Sequence, residues 1–255
     1  MKKVDLKSRL NLKLLAAVLP FIFTFITVFY TRSSVEVFYI LFGVLIVAEL
    51  SLVRAIAGKD FKKAYPYLMI LFGAVGLAAA GILTIEKIEL LKNPSHITSC
   101  SLSPVVACSP VITSNQASVF TLPNPVFGIF GYGLVVSVGM VLLAGAIKLK
   151  RWWWQTFLAG TKLGVIFVGW LVYQALYAIG AICLYCVAAW MITIPTFILT
   201  LKYVLEEDAL SLRGKLGAKV ELLIKKYPVE IIVSLYGFIA LLVLNRFWNY
   251  WLSLI

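Results

Sequence analysis

Gly180-Ala181-Ile182-Cys183-Leu184-Tyr185-Cys186 is a Cys-x-x-Cys set between two apolar runs, each long enough to be a membrane helix. It holds two of the four cysteines in the chain. On a helix the three-residue offset puts both sulfurs on one face, and near a helix N-terminus the dipole favours the thiolate, the reactive species in disulfide exchange. That is a redox reading. The same motif is also half of a zinc site, or an accident of apolar composition.

Composition decides the setting in which the motif works. Of 255 residues, 62% are hydrophobic and 13% charged, and the mean hydropathy is +0.98. These values exclude a soluble globular domain and define an all-α polytopic membrane protein. Apolar runs long enough to cross the hydrocarbon core begin near Leu14, Val37, Tyr67, Val126, Lys162, Cys183 and Val229, predicting about seven transmembrane helices. The run from Leu14 to Tyr30 lacks a small-x-small cleavage site, so it reads as a retained helix.

A formal net charge of +12 would suggest nucleic acid in a soluble protein. With a cytoplasmic N-terminus, however, Lys2, Lys3, Lys7, Arg9, Lys13, Arg54, Lys59, Lys62, Lys63, Lys148, Lys150, Arg151, Lys162, Lys202, Arg213, Lys215, Lys219, Lys225 and Lys226 all fall on the inner side. Only Arg32, Lys87, Lys92 and Arg246 fall outside. The bias predicts a multi-pass cell (inner) membrane protein with a cytoplasmic N-terminus, in contact with lipid and not with nucleic acid. All four cysteines then face the extracytoplasmic side, where disulfides persist.

In chain order, the first two helices form a hairpin joined by Thr31-Arg32-Ser33-Ser34-Val35-Glu36. Glu49 is an ionisable residue inside an apolar run, expected to snorkel or pair with Arg54. The third helix, about Tyr67 to Ile85, carries Gly73, Gly76, Gly81 and intervening alanines, which suit close helix packing. Glu86, Lys87 and Glu89 read as an interfacial charge cluster where it leaves the membrane.

The loop from 87 to 125 is too polar to span and holds Cys100 and Cys108. Loops of this length are usually functional. Ser109 and Pro110 suit an N-cap and first helical position, so a short helix from Pro110 to about Phe120 is expected to lie on the membrane as a lid. His96, the only histidine, reads as a solvated loop residue. Pro123-Asn124-Pro125 makes a stiff corner with an amide at the interface, feeding a fourth helix rich in glycine (Gly128, Gly131, Gly133, Gly139, Gly145) that Lys148 to Trp154 anchors at its inner end. Tyr173, Gln174 and Tyr177 close the fifth helix as packing and interface residues. Lys162 reads as a snorkelling side chain at the inner end. Residues 206–227 make a charged connection, and Trp248, Tyr250 and Trp251 an outer aromatic belt.

Two cysteine pairs on one side of a membrane, one in a loop and one at a helix end, suggest a relay. A thiolate attacks a disulfide sulfur through a mixed disulfide, so the loop pair must reach both an outside partner and the fixed pair. The fixed pair sits where a lipid-soluble two-electron acceptor could approach between helices.

Cys100 and Cys108 separated by seven residues, Ser114-Asn115-Gln116-Ala117-Ser118, Pro123-Asn124-Pro125 followed by Gly128, and Tyr173-Gln174-Ala175-Leu176-Tyr177 running into the Cys-x-x-Cys resemble the bacterial homologues of vitamin K epoxide reductase. The resemblance covers roughly residues 65–205. It implies a four-helix redox core around a quinone over 65–205; outside it, hydropathy leaves an N-terminal transmembrane hairpin over 1–64 and a cytoplasmic linker with one C-terminal transmembrane helix over 206–255. By resemblance Cys186 is next to the quinone, Cys183 exchanges with Cys108, and Cys100 meets the protein substrate. Asn124 resembles a hydrogen-bond donor to a quinone carbonyl, Ser114 a serine near the active cysteines, and Trp190 the aromatic residue beside the quinone.

The implied enzyme is a thiol:quinone oxidoreductase that recharges a thioredoxin-like extracytoplasmic partner and reduces menaquinone or ubiquinone. Because many bacterial relatives carry a fused thioredoxin-like domain and this chain ends at Ile255, that partner is expected to be a separate protein. The same cysteines would serve a quinone or quinone-epoxide reductase. A different class, a transporter or a zinc-binding membrane protein, is opposed by the absence of paired carboxylates or histidines at mid-depth. No metal is expected.

Overall fold

The computed structural model describes residues 2–29, 35–119, 121–145, 149–211 and 214–253, with side chains of the first helix described over 11–28. The expected link through residues 31–34, the basic residues Arg32, Lys148 and Arg213, the side chains of Lys2, Lys3, Lys7 and Arg9, and Phe120 lie outside the described residues.

The described α-helices are α1 (Lys2–Phe29), α2 (Val35–Ala57), α3 (Phe61–Lys92), α4 (Cys108–Thr113), α5 (Asn124–Leu143), α6 (Arg151–Tyr173), α7 (Leu184–Glu206), α8 (Gly214–Lys226), α9 (Pro228–Arg246) and α10 (Trp248–Leu252). A 3-10 turn, Asn115–Ala117, follows α4, and a π-helical turn, Gln174–Ile179, prolongs α6. Among the described residues, seven helices are long and apolar enough to cross a membrane: α1, α2, α3, α5, α6 with its π turn, α7 and α9. The protein is an all-α, multi-pass membrane protein, as the hydropathy predicts.

The bundle is built on α3. It starts at Asp60, whose carboxylate accepts the Lys63 N–H, and ends where the Asn93 N–H reaches the Glu89 carbonyl. Its 32 residues rise about 48 Å, more than the roughly 30 Å of a hydrocarbon core. It therefore outruns the Tyr67–Ile85 segment expected from hydropathy, and its last turns support the cysteine loop. Helices α1, α2, α5 and α7 pack on α3, while α6 packs on α7. Among the described residues α5 and α6 make few direct contacts, so the ring α5-α3-α7-α6 is open along that side.

Small residues set the α3–α5 crossing. A Cβ on Gly76 would fall on the Tyr132 ring, and one on Gly139 would lie 2.6 Å from the Pro66 carbonyl oxygen and 2.7 Å from Ile70 Cγ1. Gly131, Gly133 and Gly145 face open space instead. The glycine-rich fourth span is thus close-packed on one face only.

Other expectations change with side-chain placement. Trp152, Trp153 and Trp154 open α6 and are no tail of α5, so Lys162 is the twelfth residue of α6, exposed and deeper than an end position. Glu49 does not pair with Arg54. It is fully buried among α1–α3 residues, and neither carboxylate oxygen has a hydrogen-bond partner among the described residues. The lid helix starts at Cys108, earlier than Ser109-Pro110 suggested, and stops at Thr113, because Ser114 turns out of it (ψ 154°) and donates to the Val111 carbonyl.

The hairpin α1–α2 covers the cysteine end of α3 and α7. Phe38 is fully buried with its ring edge-on to Tyr185 at 5.2 Å, and the Tyr39 hydroxyl donates to the Leu184 carbonyl at 2.7 Å. Both contacts grip the two residues between Cys183 and Cys186. At the other side, Arg246 of α9 donates to the Leu176 carbonyl in the π turn at 2.8 Å.

Gly139→Val should force α5 off α3 and destabilise the solubilised protein by about 1–3 kcal/mol, read as a lower thermal midpoint by circular dichroism. Gly131→Ala, whose added methyl meets no described neighbour within 4 Å, should leave the midpoint unlowered or slightly raised.

Candidate active site

The four cysteines converge at one end of the bundle because two backbone segments are stitched together. Val106 and Ile182 form an isolated parallel bridge, with Ile182 N–H to the Val105 carbonyl at 2.8 Å and Ala107 N–H to the Ile182 carbonyl at 3.1 Å. Cys108 and Cys183 follow directly on the two strands of this bridge. Their sulfurs lie 2.8 Å apart.

The second strand is aimed by the end of α6. There the π turn brings Gly180 N–H and Ala181 N–H to the same acceptor, the Ala175 carbonyl. Gly180 then takes φ 73°, the left-handed region that costs other residues roughly 1–2 kcal/mol. The chain reverses in this one residue and re-enters the membrane at Cys183, the N-cap of α7.

Cys100 and Cys108 are joined in a disulfide with Cα atoms 5.6 Å apart, while Cys183 and Cys186 are free. Cys100, Cys108 and Cys183 have no exposed surface, and Cys186 is half-buried. Sulfur atoms of Cys100, Cys108 and Cys183 all lie within 4.8 Å of one another. A Cys183 thiolate is therefore in place to attack the Cys108 sulfur with Cys100 as leaving group, and the reverse exchange uses the same contact.

Burial pushes the Cys183 thiol well above its ordinary range, and the neighbouring Cys186 adds to the rise. The Tyr185 and Cys186 N–H groups at the start of α7 act in the opposite direction. The helix terminus favours the thiolate as expected, but desolvation outweighs it.

The loop is held down by a carboxylate. Glu86 of α3 is buried, with one oxygen accepting the Ser99 N–H at 3.1 Å and the other 2.9 Å from His96 Nε2. Ser99 Oγ in turn meets the Tyr185 hydroxyl at 3.2 Å. Glu86 is thus an internal anchor and no interfacial charge, and His96 is its partner instead of a freely solvated side chain. The sequence does carry a signal for this: Val75, Ala79, Ile82, Glu86 and Leu90 fall on one buried stripe of α3.

Beside the free pair lies a cavity of about 910 Å³, walled by α3, α5, α6 and α7 beneath the α4 segment. Cys183 and Cys186 line it, as do Ser114, Asn124, Trp190, Lys87 and Gln174. Asn124 opens α5 and pins the loop: its Nδ2 donates to the Gln116 carbonyl at 2.6 Å, and its Oδ1 accepts the Val119 N–H at 3.2 Å. One Nδ2 hydrogen remains beyond that bond. Trp190 is buried one turn after Cys186, its indole N–H without a partner among the described residues. Tyr132 reaches from α5 to Thr193 Oγ1 (2.8 Å) and the Ala189 carbonyl (3.2 Å) on α7, closing the floor below Cys186. Glu86 and Lys87 entered the sequence reading only as interfacial charges, and Tyr132 and the Val106–Ile182 bridge had no role in it.

A buried disulfide touching a free Cys-x-x-Cys, at one end of a multi-pass helical bundle, defines a membrane thiol-disulfide oxidoreductase. Residues 67–201 match the model of the vitamin K epoxide reductase family, and the chain belongs to that family of membrane enzymes, which work with quinones. No curated protein matches the chain significantly.

Two outcomes test this geometry. Since the Cys183 thiol is shifted upward, its thiolate fraction, and with it Cys183–Cys108 exchange in quinone-free protein, should rise about tenfold per pH unit from pH 7 to 9 without levelling, followed by acid quench and alkylation mapping. Glu86→Leu removes both loop contacts, so a water-soluble dithiol should reduce Cys100–Cys108 on the order of tenfold faster.

Proposed function

We propose that the protein is a quinone-dependent thiol oxidase that reoxidises a thioredoxin-like extracytoplasmic protein and so supports disulfide formation. The 2.8 Å contact between Cys108 and Cys183 carries this reading, since it couples a loop disulfide to a free pair that opens on an apolar cavity. Cys100 receives the partner: a partner thiolate attacks the Cys100 sulfur and expels Cys108, and the second partner thiol resolves the mixed disulfide. The partner leaves oxidised and the loop pair holds two electrons. Cys108 thiolate then attacks Cys183 of the oxidised inner pair, and Cys100 resolves that mixed disulfide, leaving Cys183 and Cys186 reduced.

The donor set fits a quinone, with amides and hydroxyls at the cysteine end of the cavity and apolar α5 and α6 walls beyond them. A bound quinone supplies a sink for two electrons and two protons. Cys186 faces that sink, and its closure onto Cys183 releases both electrons and both protons. Asn124 offers its remaining N–H to a carbonyl oxygen, Trp190 walls the ring site one turn below Cys186, and Ser114 holds the turn that roofs it. Menaquinone and ubiquinone both suit this lining.

The excess of basic residues at the opposite end of the bundle supports a cytoplasmic N-terminus and an extracytoplasmic active site in the cell membrane. Residues 65–205 form the redox core on this reading, flanked by the hairpin over 1–64 and the linker and helix over 206–255.

Purified protein given a reduced thioredoxin-like protein should reduce ubiquinone-1 or menadione, and Cys186→Ala should abolish this. Cys183→Ala should leave partner oxidation at the loop pair possible for a single turnover only. Full activity in Cys186→Ala would overturn the assignment.

A further inference from the structure

Lys87 is the one charged side chain among the described residues lining the cavity. It leaves α3 on the same face as Ala80 and Leu83, which also line the cavity, and it is half-buried. Its Nζ donates to the Ile112 carbonyl at 2.8 Å, at the end of α4. Ile112 belongs to the buried cluster that contains Cys108 and Cys183, with Cys186 packed against it. The ammonium is therefore held at the thiol end of the cavity, and two of its three N–H groups remain beyond the Ile112 bond.

Two thiols opening on an apolar cavity pose an electrostatic problem. Oxidising Cys183 and Cys186 to a disulfide moves two electrons onto an acceptor whose carbonyl oxygen gains negative charge before it gains a proton. In a low-dielectric site that charge is costly without a preset counter-charge. Among the lining residues, Lys87 is the one that can provide it.

We propose that Lys87 is the oxyanion-stabilising and proton-donating residue of the quinone site, acting on the carbonyl oxygen nearest Cys186. This rests on the proposed quinone reading. The two thiols lose two electrons and two protons in forming the Cys183–Cys186 disulfide. The acceptor gains two electrons and two protons, one from the Lys87 ammonium, which is restored by a proton released from the thiols.

Substitution separates charge from scaffold. Lys87→Gln keeps a donor for the Ile112 carbonyl and removes the charge, whereas Lys87→Arg keeps both. Lys87→Gln should lower kcat for ubiquinone-1 or menadione reduction about 100-fold, and Lys87→Arg should restore much of it. In quinone-free protein, exchange between Cys183 and the loop disulfide should be unchanged in both. In a Cys183→Ala background with menadione added, the Cys186 thiolate-quinone charge-transfer absorbance should need a higher pH in Lys87→Gln than in Lys87→Arg.

The proposal is overturned if Lys87→Gln keeps the parent kcat and the parent pH dependence of that absorbance. It is equally overturned if Gln and Arg lose activity alike and slow the thiol exchange, since that is the signature of a scaffold role at Ile112. Loss of the quinone reading itself is distinguishable, because quinone reduction would then survive Cys186→Ala.

Discussion

The active end of this protein depends on two backbone hydrogen bonds at the Val106–Ile182 bridge. The loop comes from α3 and α4 and the Cys-x-x-Cys from α6 and α7, so their sulfurs share no local constraint. The bridge supplies one by putting Cys108 and Cys183 just past paired backbone positions. Each hydrogen bond is worth only about 1 kcal/mol net, so the bridge needs reinforcement. The π turn and Gly180 aim one strand, and the Glu86 carboxylate holds the loop that carries the other.

These supports come from every part of the chain. Helix α2 contributes Phe38 and Tyr39 against Tyr185 and Leu184, and α9 contributes Arg246 against the π turn. The N-terminal hairpin, which has no redox chemistry of its own, is therefore part of the active-site wall. It holds the two residues between the free cysteines on the side away from the cavity. Sequence alone offered no reason for its presence.

The membrane class, the seven spans and the convergence of both cysteine pairs on one end were legible, because hydropathy and loop position report them directly. The contacts that make the site work were not. Glu86 looked like an interfacial charge because an acid after an apolar run usually is one, and only the loop folding back over it makes it an acceptor for Ser99 and His96. Helix α6 was started too late because Trp152, Trp153 and Trp154 suit an interface whether they end one helix or begin the next. The upward shift of the Cys183 thiol was hidden for a similar reason: a helix N-terminus can be read from a motif, whereas burial by elements distant in sequence cannot.

The open side of the helix ring, between α5 and α6, determines how the cavity is reached. Both helices are long and apolar enough to cross a membrane, so an opening between them would give onto acyl chains instead of water, and a guest arriving that way would already be dissolved in the bilayer. Its supply is then measured per lipid molecule and not per litre. Diluting the same amount of guest with inert phospholipid would starve the site, while adding buffer would not. On the proposed reading the protein would thus meet its two kinds of partner in two different solvents, one in three dimensions and the other in two.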